Sequence, residues 1–565
     1  MLNTTASSAK ARASTWGLWD VFGASKTALA ISLAAGLLSG VGSAWMMALI
    51  NKSLAPSETG ANDQPALFFC LCLLTLIASS LSVSALSRIA RDNQYHLRYW
   101  LAERILSAPV VHLQFCGPHK LMAALTDDVT SVVTAQEVLP YLFVEGAKMA
   151  AAFVYLAYLS PSLFVLVAIF VAFGISTYRY AQQRAMRWHQ LARDSDNVLF
   201  GHFRALTEGY KELKMDAKRR SAFLDHDFKH TASLLKERLN KGTTISILAN
   251  NWSETLYYVL IGVILFVSPR IAQTPHGALI GFTLVILFIG APLATLFNAV
   301  PLIGKGVVAL KNIEALRLDS AEASLGAETP AHCEAPLLEL IGVSFRHPSA
   351  EDESGYGFGP LDLAISPGEL VFLTGGNGSG KTTLALVILG LYVPQTGVIR
   401  LDGEAISNAN REAYRQNFSA VFADSYVFDS LLGYDDEDFQ RRAADLLTLL
   451  KLERKVHVDA GRFSTVALSK GERRRLALLA AYLSDRPIFL FDEWAADQDP
   501  TFREIFYRQL LPGLKSRGKT VIAITHDDRY FHLCDRLLRL TTGQLEEISF
   551  AGGQERKVTA EARRA

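Results

Sequence analysis

The residues best suited to chemistry lie in one run, Thr374-Gly375-Gly376-Asn377-Gly378-Ser379-Gly380-Lys381-Thr382-Thr383. It fits G-x-x-x-x-G-K-[ST], the spacing of a phosphate-binding loop. Glycines at 375, 376, 378 and 380 free the backbone N–H groups to curl round an anion, and a helix N-terminus adds its positive dipole end. Lys381 has the length and charge to reach the β- and γ-phosphates of a nucleotide. Thr382 supplies a hydroxyl for Mg²⁺. The bland alternative is a glycine-rich strand-to-helix turn. Apolar Leu370–Leu373 before the run and Leu384–Leu389 after it supply the strand and helix that the functional reading requires.

Further on, Arg486-Pro487-Ile488-Phe489-Leu490-Phe491-Asp492-Glu493 reads as a buried strand ending in two carboxylates. Asp492 is placed to coordinate Mg²⁺, and Glu493 to polarise a water attacking the γ-phosphate. Two exposed carboxylates at a strand end would be unremarkable alone, but not downstream of a phosphate loop. Leu468-Ser469-Lys470-Gly471-Glu472 opens another helix, a second N-terminal anion site. A chain with one phosphate loop has use for it if it completes the nucleotide pocket of a facing domain. Arg473, Arg474 and Arg475, which follow, read as a solvated helix face rather than a nucleic-acid contact. His526 follows an apolar strand, Val521–Thr525.

These side chains need a scaffold, and the chain of 565 residues is too long for one ordinary domain. Its 20% charged and 50% hydrophobic residues average over two populations. Residues 337–550 have soluble α/β character, while the first 310 or so carry six apolar stretches near 27–50, 65–87, 138–159, 161–182, 244–267 and 277–303, each able to span hydrocarbon. The intervals between spans two and three and between spans four and five are rich in Arg and Lys; the opposite loops hold little beyond Lys52 and Arg270. The positive-inside rule therefore puts both long intervals and both termini in the cytoplasm. Helical spacing of Tyr95, Leu97, Trp100, Leu101, Ile105 and Leu106 extends the spans into the cytoplasm. Bends at Cys116-Gly117-Pro118-His119 and Thr207-Glu208-Gly209-Tyr210 are candidate docking elements for the soluble domain.

Glu145 and Lys148 are spaced to pair on one helix face. Asn250, Asn251, Glu254 and Asn298 are intramembrane polar residues. They suit either a cargo cavity or interhelical and headgroup bonding. Gly36 and Gly40 form a close-packing face. Trp16–Phe22 suits an interfacial helix, and residues 1–15 lack the apolar core of a cleaved signal. The five cysteines, Cys70, Cys72, Cys116, Cys333 and Cys534, show no disulfide or zinc spacing. Net charge of +1 gives no case for polyanion binding.

The order phosphate loop, Ser469 loop, Asp-Glu strand and histidine resembles the ATP-binding cassette (ABC) family, over the whole chain. The resemblance implies a six-span α-helical exporter membrane domain followed by an α/β P-loop nucleotide-binding domain, a half-transporter working as a homodimer. It implies ATP and Mg²⁺ as cofactors. Gly375–Thr383 would bind nucleotide, Thr382 and Asp492 would bind Mg²⁺, and Glu493 and His526 would be catalytic. Ser469 and Gly471 match the signature loop and Asp499 the loop crossing the dimer seam. His347 stands where the adenine-stacking Tyr is usual, with Tyr356 as a substitute.

Two departures stand out: Ala423 occupies the family's coupling Gln, with Asp424 beside it, and Glu472 stands where Gln is usual. Val421–Asp424, Phe491–Pro500 and Leu206–Lys214 resemble the cyclic-peptide and pyoverdine-type siderophore exporters. That implies a bacterial inner-membrane exporter of a peptide natural product, with lipid contacts, periplasmic or outer-membrane companions and no nucleic acid. A lipid or drug flippase, or an ATP-gated channel or sensor, are the rivals. The expected domains are 1–26, an N-terminal segment; 27–315, membrane; 316–336, linker; 337–550, cassette; and 551–565, a polar tail.

Overall fold

The computed structural model describes residues 26–54, 64–267, 276–318, 337–347, 357–431, 437–459, 461–551 and 554–558. The aromatics of 16–22, most of the linker, Cys333, Tyr356 and residues 559–565 lie outside them. The chain divides into two compact units, Met1–Trp100 with Met122–Ala315, and Leu101–Leu121 with Leu316–Ala565.

The first unit is helical. It holds α1 (Lys26–Leu54), most of α2 (Gln64–Ser107), α4 (Pro118–Ala123) in part, α5 (Val129–Leu159), α6 (Pro161–Glu208), α7 (Tyr210–Met215), α8 (Ala217–Ala222), α9 (Lys229–Gly262) and α10 (His276–Ala315); α3 (Val110–Cys116) belongs to the other unit. At 1.5 Å per residue the 44 residues of α2 and 48 of α6 run to about 66 and 72 Å. That is roughly twice a hydrocarbon core, so each helix is longer than a span needs. Ser160 breaks the helix with extended backbone, and Pro161 at the first turn of α6 starts the next one, making a helical hairpin. A Cβ on Gly40 would sit 2.7 Å from the Ala147 carbonyl carbon, so the small face of α1 is where α5 packs.

Among the described residues five helical segments are long and apolar enough to cross a membrane. The fifth expected span is not among them: Asn250, Asn251 and Glu254 dilute its apolar run in α9, and 268–275 lie outside the described residues. These three and Asn298 are exposed, and no hydrogen bond among the described residues ties them to another helix. Glu145 and Lys148 do pair, at 2.9 Å.

The second unit contains β1 (Leu338–Arg346), β2 (Gly357–Ile365), β3 (Leu370–Thr374), α11 (Lys381–Ile388), β4 (Thr396–Leu401), β5 (Glu404–Ala405), α12 (Arg411–Arg415) and β6 (Phe418–Val421). It continues through α13 (Glu437–Leu449), β7 (Val458–Asp459), β8 (Arg462–Phe463), α14 (Lys470–Ser484), β9 (Ile488–Asp492), α15 (Pro500–Ile505), α16 (Leu511–Ser516), β10 (Thr520–Ile524), β11 (Arg536–Thr541), β12 (Gln544–Ala551) and β13 (Gln554–Val558). One sheet runs β2-β1-β4-β5, a larger one β13-β12-β11-β3-β10-β9-β6, and β7 pairs with β8.

In the large sheet β6, β9, β10, β3 and β11 are parallel. β3, β9 and β10 are buried along their whole length, which is why they read as unbroken apolar runs. Alternate residues feed two cores. Phe372, Phe489, Phe491, Val521 and Ala523 face one side; Val371, Leu373, Leu490, Ile522 and Ile524 face the other.

Candidate functional site

The parallel register sets the site. Ile524 lies opposite both Leu373 and Asp492, so β3, β9 and β10 end at one edge. The three segments leaving that edge are the phosphate loop, Glu493 and Thr525-His526. Ligands of open parallel sheets bind outside this carboxyl edge.

Gly380 has φ 101° and caps α11. Gly375 has φ 154°, and a Cβ there would meet the Leu540 carbonyl oxygen at 2.3 Å, so only glycine fits. Lys381 is 5% exposed; its ammonium donates to the carbonyls of Gly375 (3.1 Å) and Gly376 (3.0 Å) and lies 3.8 Å from Glu493 Oε1. It is folded onto its own loop, a cation with only partial charge compensation. Buried Ser379 Oγ has no hydrogen-bond partner. An orphaned hydroxyl and an underpaired ammonium inside a glycine cradle are the groups a bound phosphate would satisfy. Asn377 and Gly378 form the loop's turn and Thr383 lies in the first turn of α11, close to His347.

The Thr382 hydroxyl donates to Asp492 Oδ1 at 3.4 Å. Asp492 is 1% exposed, and burial pushes its carboxyl above the usual range, with the Thr382 bond opposing and the charges of Glu493 and Asp424 adding to the rise. A buried carboxylate and the hydroxyl bonded to it are a ready ligand pair for a hard cation. His526 Nε2 donates to Glu493 Oε1 at 3.0 Å. Glu493 has φ 48°, in the left-handed region. A cleft opens beside them, lined by Ala496, Arg503, Tyr507 and Asp527 among others. Lys381, Thr382, Asp492, Glu493 and His526 are thus brought together.

The Ser469 loop is built differently. Ser469 caps α14 in a reciprocal capping box with Glu472. Among the described residues no hydrogen bond or ion pair joins Ser469 or Gly471 to the phosphate loop. Gly471 instead offers its carbonyl to Gln498 Nε2 at 3.1 Å. Asp499 caps α15, accepting from Phe502 N at 3.1 Å, and lies 3.8 Å from Arg475.

The solvated-face expectation for Arg473–Arg475 is corrected for two of the three. Arg474 is 9% exposed. It donates to the carbonyls of Ala423 (2.6 Å) and Glu493 (3.1 Å) and pairs with Asp497 at 2.8 Å. Arg475 stacks 3.7 Å above the Phe502 ring, and burial draws its pKa down. The turn of α14 aims both at the segment after β9, where carbonyls and carboxylates outcompete water. Trp494, 1% exposed, returns a bond from Nε1 to the Arg474 carbonyl at 2.9 Å. The expected coupling position, Ala423, therefore connects through its backbone rather than a side chain.

His347 lies edge-on to Phe345 and Tyr392, its Nε2 3.4 Å from Thr383 Oγ1. Tyr392 stacks on Phe345 at 4.8 Å and its hydroxyl donates to Gln114 Oε1 of α3. Val110 and Val111 of α3 pack on the same core, and His112 Nε2 donates to the Leu316 carbonyl at 2.6 Å. The first expected docking bend thus belongs to the cassette's own unit. Arg474, Tyr392 and Gln114 carry no motif; the sequence pointed only to the basic run around Arg474 and to the Phe491–Pro500 run that contains Trp494.

A family model described as ABC transporter matches residues 358–496. The ATP-binding protein SyrD of Pseudomonas syringae pv. syringae is 35% identical over 535 residues, 91% of this chain and 92% of the relative. The ATP-dependent lipid A-core flippase of Thiobacillus denitrificans is 24% identical over 89% of each chain. That of Dechloromonas aromatica is 30% identical over 49% of this chain and 48% of its own. A solved structure of a bacterial Atm1-family ABC exporter with ATP bound matches with a TM-score of 0.71 at 18% identity, covering 92% of this chain and 93% of that one. This last likeness is one of fold.

Proposed function

Because the chain belongs to the ABC transporter family, a multi-pass exporter whose cassette binds and hydrolyses ATP, we propose that it pumps a peptide natural product out of the cytoplasm. The carrying observation is the cluster of Lys381, Thr382, Asp492, Glu493 and His526 at one sheet edge, in a chain that also holds the long apolar helices. The cargo class is a cyclic peptide, lipopeptide or peptidic siderophore precursor. It rests on the Phe491–Pro500 run. The Thiobacillus denitrificans flippase, matched along 89% of the chain, is less identical to it than SyrD. The working unit is a homodimer in a bacterial inner membrane, both termini cytoplasmic.

In this reading Gly375–Thr383 wrap the phosphates, Lys381 turns from its own carbonyls to them, and His347 flanks the base. Thr382 and Asp492 would hold Mg²⁺, which when bound neutralises the phosphate oxygens and orients them. Glu493 polarises the attacking water, while His526 fixes its carboxylate and reaches the γ-phosphate. Ser469, Gly471 and Asp499 serve the nucleotide of the facing cassette. Closure on ATP shifts the membrane helices only as far as nucleotide prefers the closed state.

Glu493→Gln should bind ATP, lose turnover and lose cargo export; unchanged export would leave a gated channel or sensor as the better reading. Peptide content of cytoplasm and medium should shift inward in a deletion strain. Turnover stimulated selectively by lipid would favour a flippase.

A further inference from the structure

The N-terminus of the 15-residue helix α14 is already filled by one of its own side chains. Glu472 Oε2 accepts from Ser469 N (3.1 Å) and from the Ser469 hydroxyl (2.7 Å), and Ser469 Oγ accepts from Glu472 N at 3.4 Å. A second segment joins in: Lys455, in the connection between α13 and β7, donates to Glu472 Oε1 at 2.5 Å. Lys455 is largely exposed, at 59%, whereas Glu472 is 15% exposed. The Lys455 bond, followed by those from Ser469, holds the Glu472 carboxyl down to about 2. It is therefore an anion under every physiological condition.

A serine has one proton to donate. Pointed at Glu472, it is not available to a phosphate. A bare carboxylate one hydroxyl away from an arriving phosphate would also repel it, at a distance where water screens poorly. A neutral amide at 472 would raise neither problem. The Lys455 ammonium answers both, by cancelling the charge and by giving the carboxylate another strong donor.

We propose that Lys455 is a positioning residue of the nucleotide site, holding Glu472 as a neutralised cap so that the Ser469 hydroxyl can turn from it to the γ-phosphate on a facing cassette. The proposal rests on the reading of Ser469 and Gly471 as the second half of a nucleotide pocket. The serine has two positions: on Glu472 when the cassettes are apart, and on phosphate when they close. Throughout, Ser469 Oγ keeps accepting the Glu472 N–H, so the start of the helix stays capped.

The test is a double-mutant cycle in the full-length chain. Lys455→Met, Glu472→Gln and their combination are compared with the parent for KM and kcat of ATP hydrolysis, at low and high salt, with Lys381→Ala as the blank. Lys455→Met should raise KM about tenfold, with less than threefold loss of kcat, and the effect should shrink as salt rises. In the Glu472→Gln background the same change should move KM less than twofold. Equal effects in both backgrounds, or none in either, would overturn the role of Lys455. If the parent shows no Lys381-dependent turnover, the nucleotide reading itself falls, and this proposal with it.

Discussion

Replacing Arg474 by Met removes the clamp behind the proposed catalytic carboxylate. The methionine keeps the apolar stem packed but deletes charged donors to the Ala423 and Glu493 carbonyls, at 2.6 and 3.1 Å. Hydrogen bonds from charged groups contribute roughly 1.5–3 kcal/mol each. The ion pair with Asp497 adds little, since Asp497 is 34% exposed and keeps Lys470 at 2.9 Å. Water reaches part of the vacated space, so about 3 kcal/mol is the expected net loss, at the low end of two such bonds. Glu493 at φ 48° holds a conformation costing roughly 1–2 kcal/mol for a residue with a Cβ. Released from Arg474, it relaxes to the right-handed region and its carboxylate leaves His526.

At 1.36 kcal/mol per tenfold, a loss of about 3 kcal/mol corresponds to roughly 100-fold in kcat. The KM for ATP should stay within about threefold, because Arg474 touches no group assigned to nucleotide. The assay is steady-state ATP hydrolysis by full-length protein in lipid nanodiscs, with thermal unfolding in parallel. Arg474→Lys should recover part of kcat by donating to one of the two carbonyls but lacks the fork to reach both. A kcat for Arg474→Met within about threefold of the parent would refute the clamp.

Lys381→Ala should abolish ATP turnover and export together; retained turnover would dismantle the site. Tyr392→Phe keeps the ring on Phe345 and loses only the bond to Gln114, about 1 kcal/mol. ATP hydrolysis should persist within twofold while export from cells falls, Gln114→Ala should do the same, and unaltered export in both would show the contact to be passive. Asp492 binds its proton more tightly folded than unfolded, so stability falls as pH rises from the ordinary carboxylate range through its raised value. Asp492→Asn should therefore raise the melting temperature of nucleotide-free protein at pH 7, narrow that gap on acidification and eliminate Mg²⁺-dependent turnover. A gap that widens on acidification would contradict the burial argument.

The sequence made legible what is written in contiguous residues. Thr374–Thr383 and Ile488–Glu493 each carry strand, turn and chemistry in one run, and their meeting at one edge follows from parallel pairing with β10. The long helices announced themselves by apolar length, but the stretch read as a span at 244–267, in α9, is interrupted by three polar residues and is not among those apolar enough to cross a membrane. What stayed hidden depends on groups with no sequence pattern. Arg474 is held by backbone carbonyls, which every residue possesses, so a buried clamp and a solvated helix face look alike in one dimension. Tyr392 and Gln114 lie 278 positions apart. Lys455 and Glu472 are closer but sit on different elements, and neither side chain's direction is set by local spacing.

The grouping of α3 with the soluble unit bears on how this protein can be dissected. A fragment starting at Leu316 would forfeit the partner of the Tyr392 hydroxyl, and Val110 and Val111 would no longer cover their share of the core. Such a truncation would display a greasy scar and tend to self-associate, mimicking a nucleotide-independent dimer. A fusion restoring residues 101–121 in trans or through a flexible tether is the form in which the excised ATPase should behave as a soluble monomer.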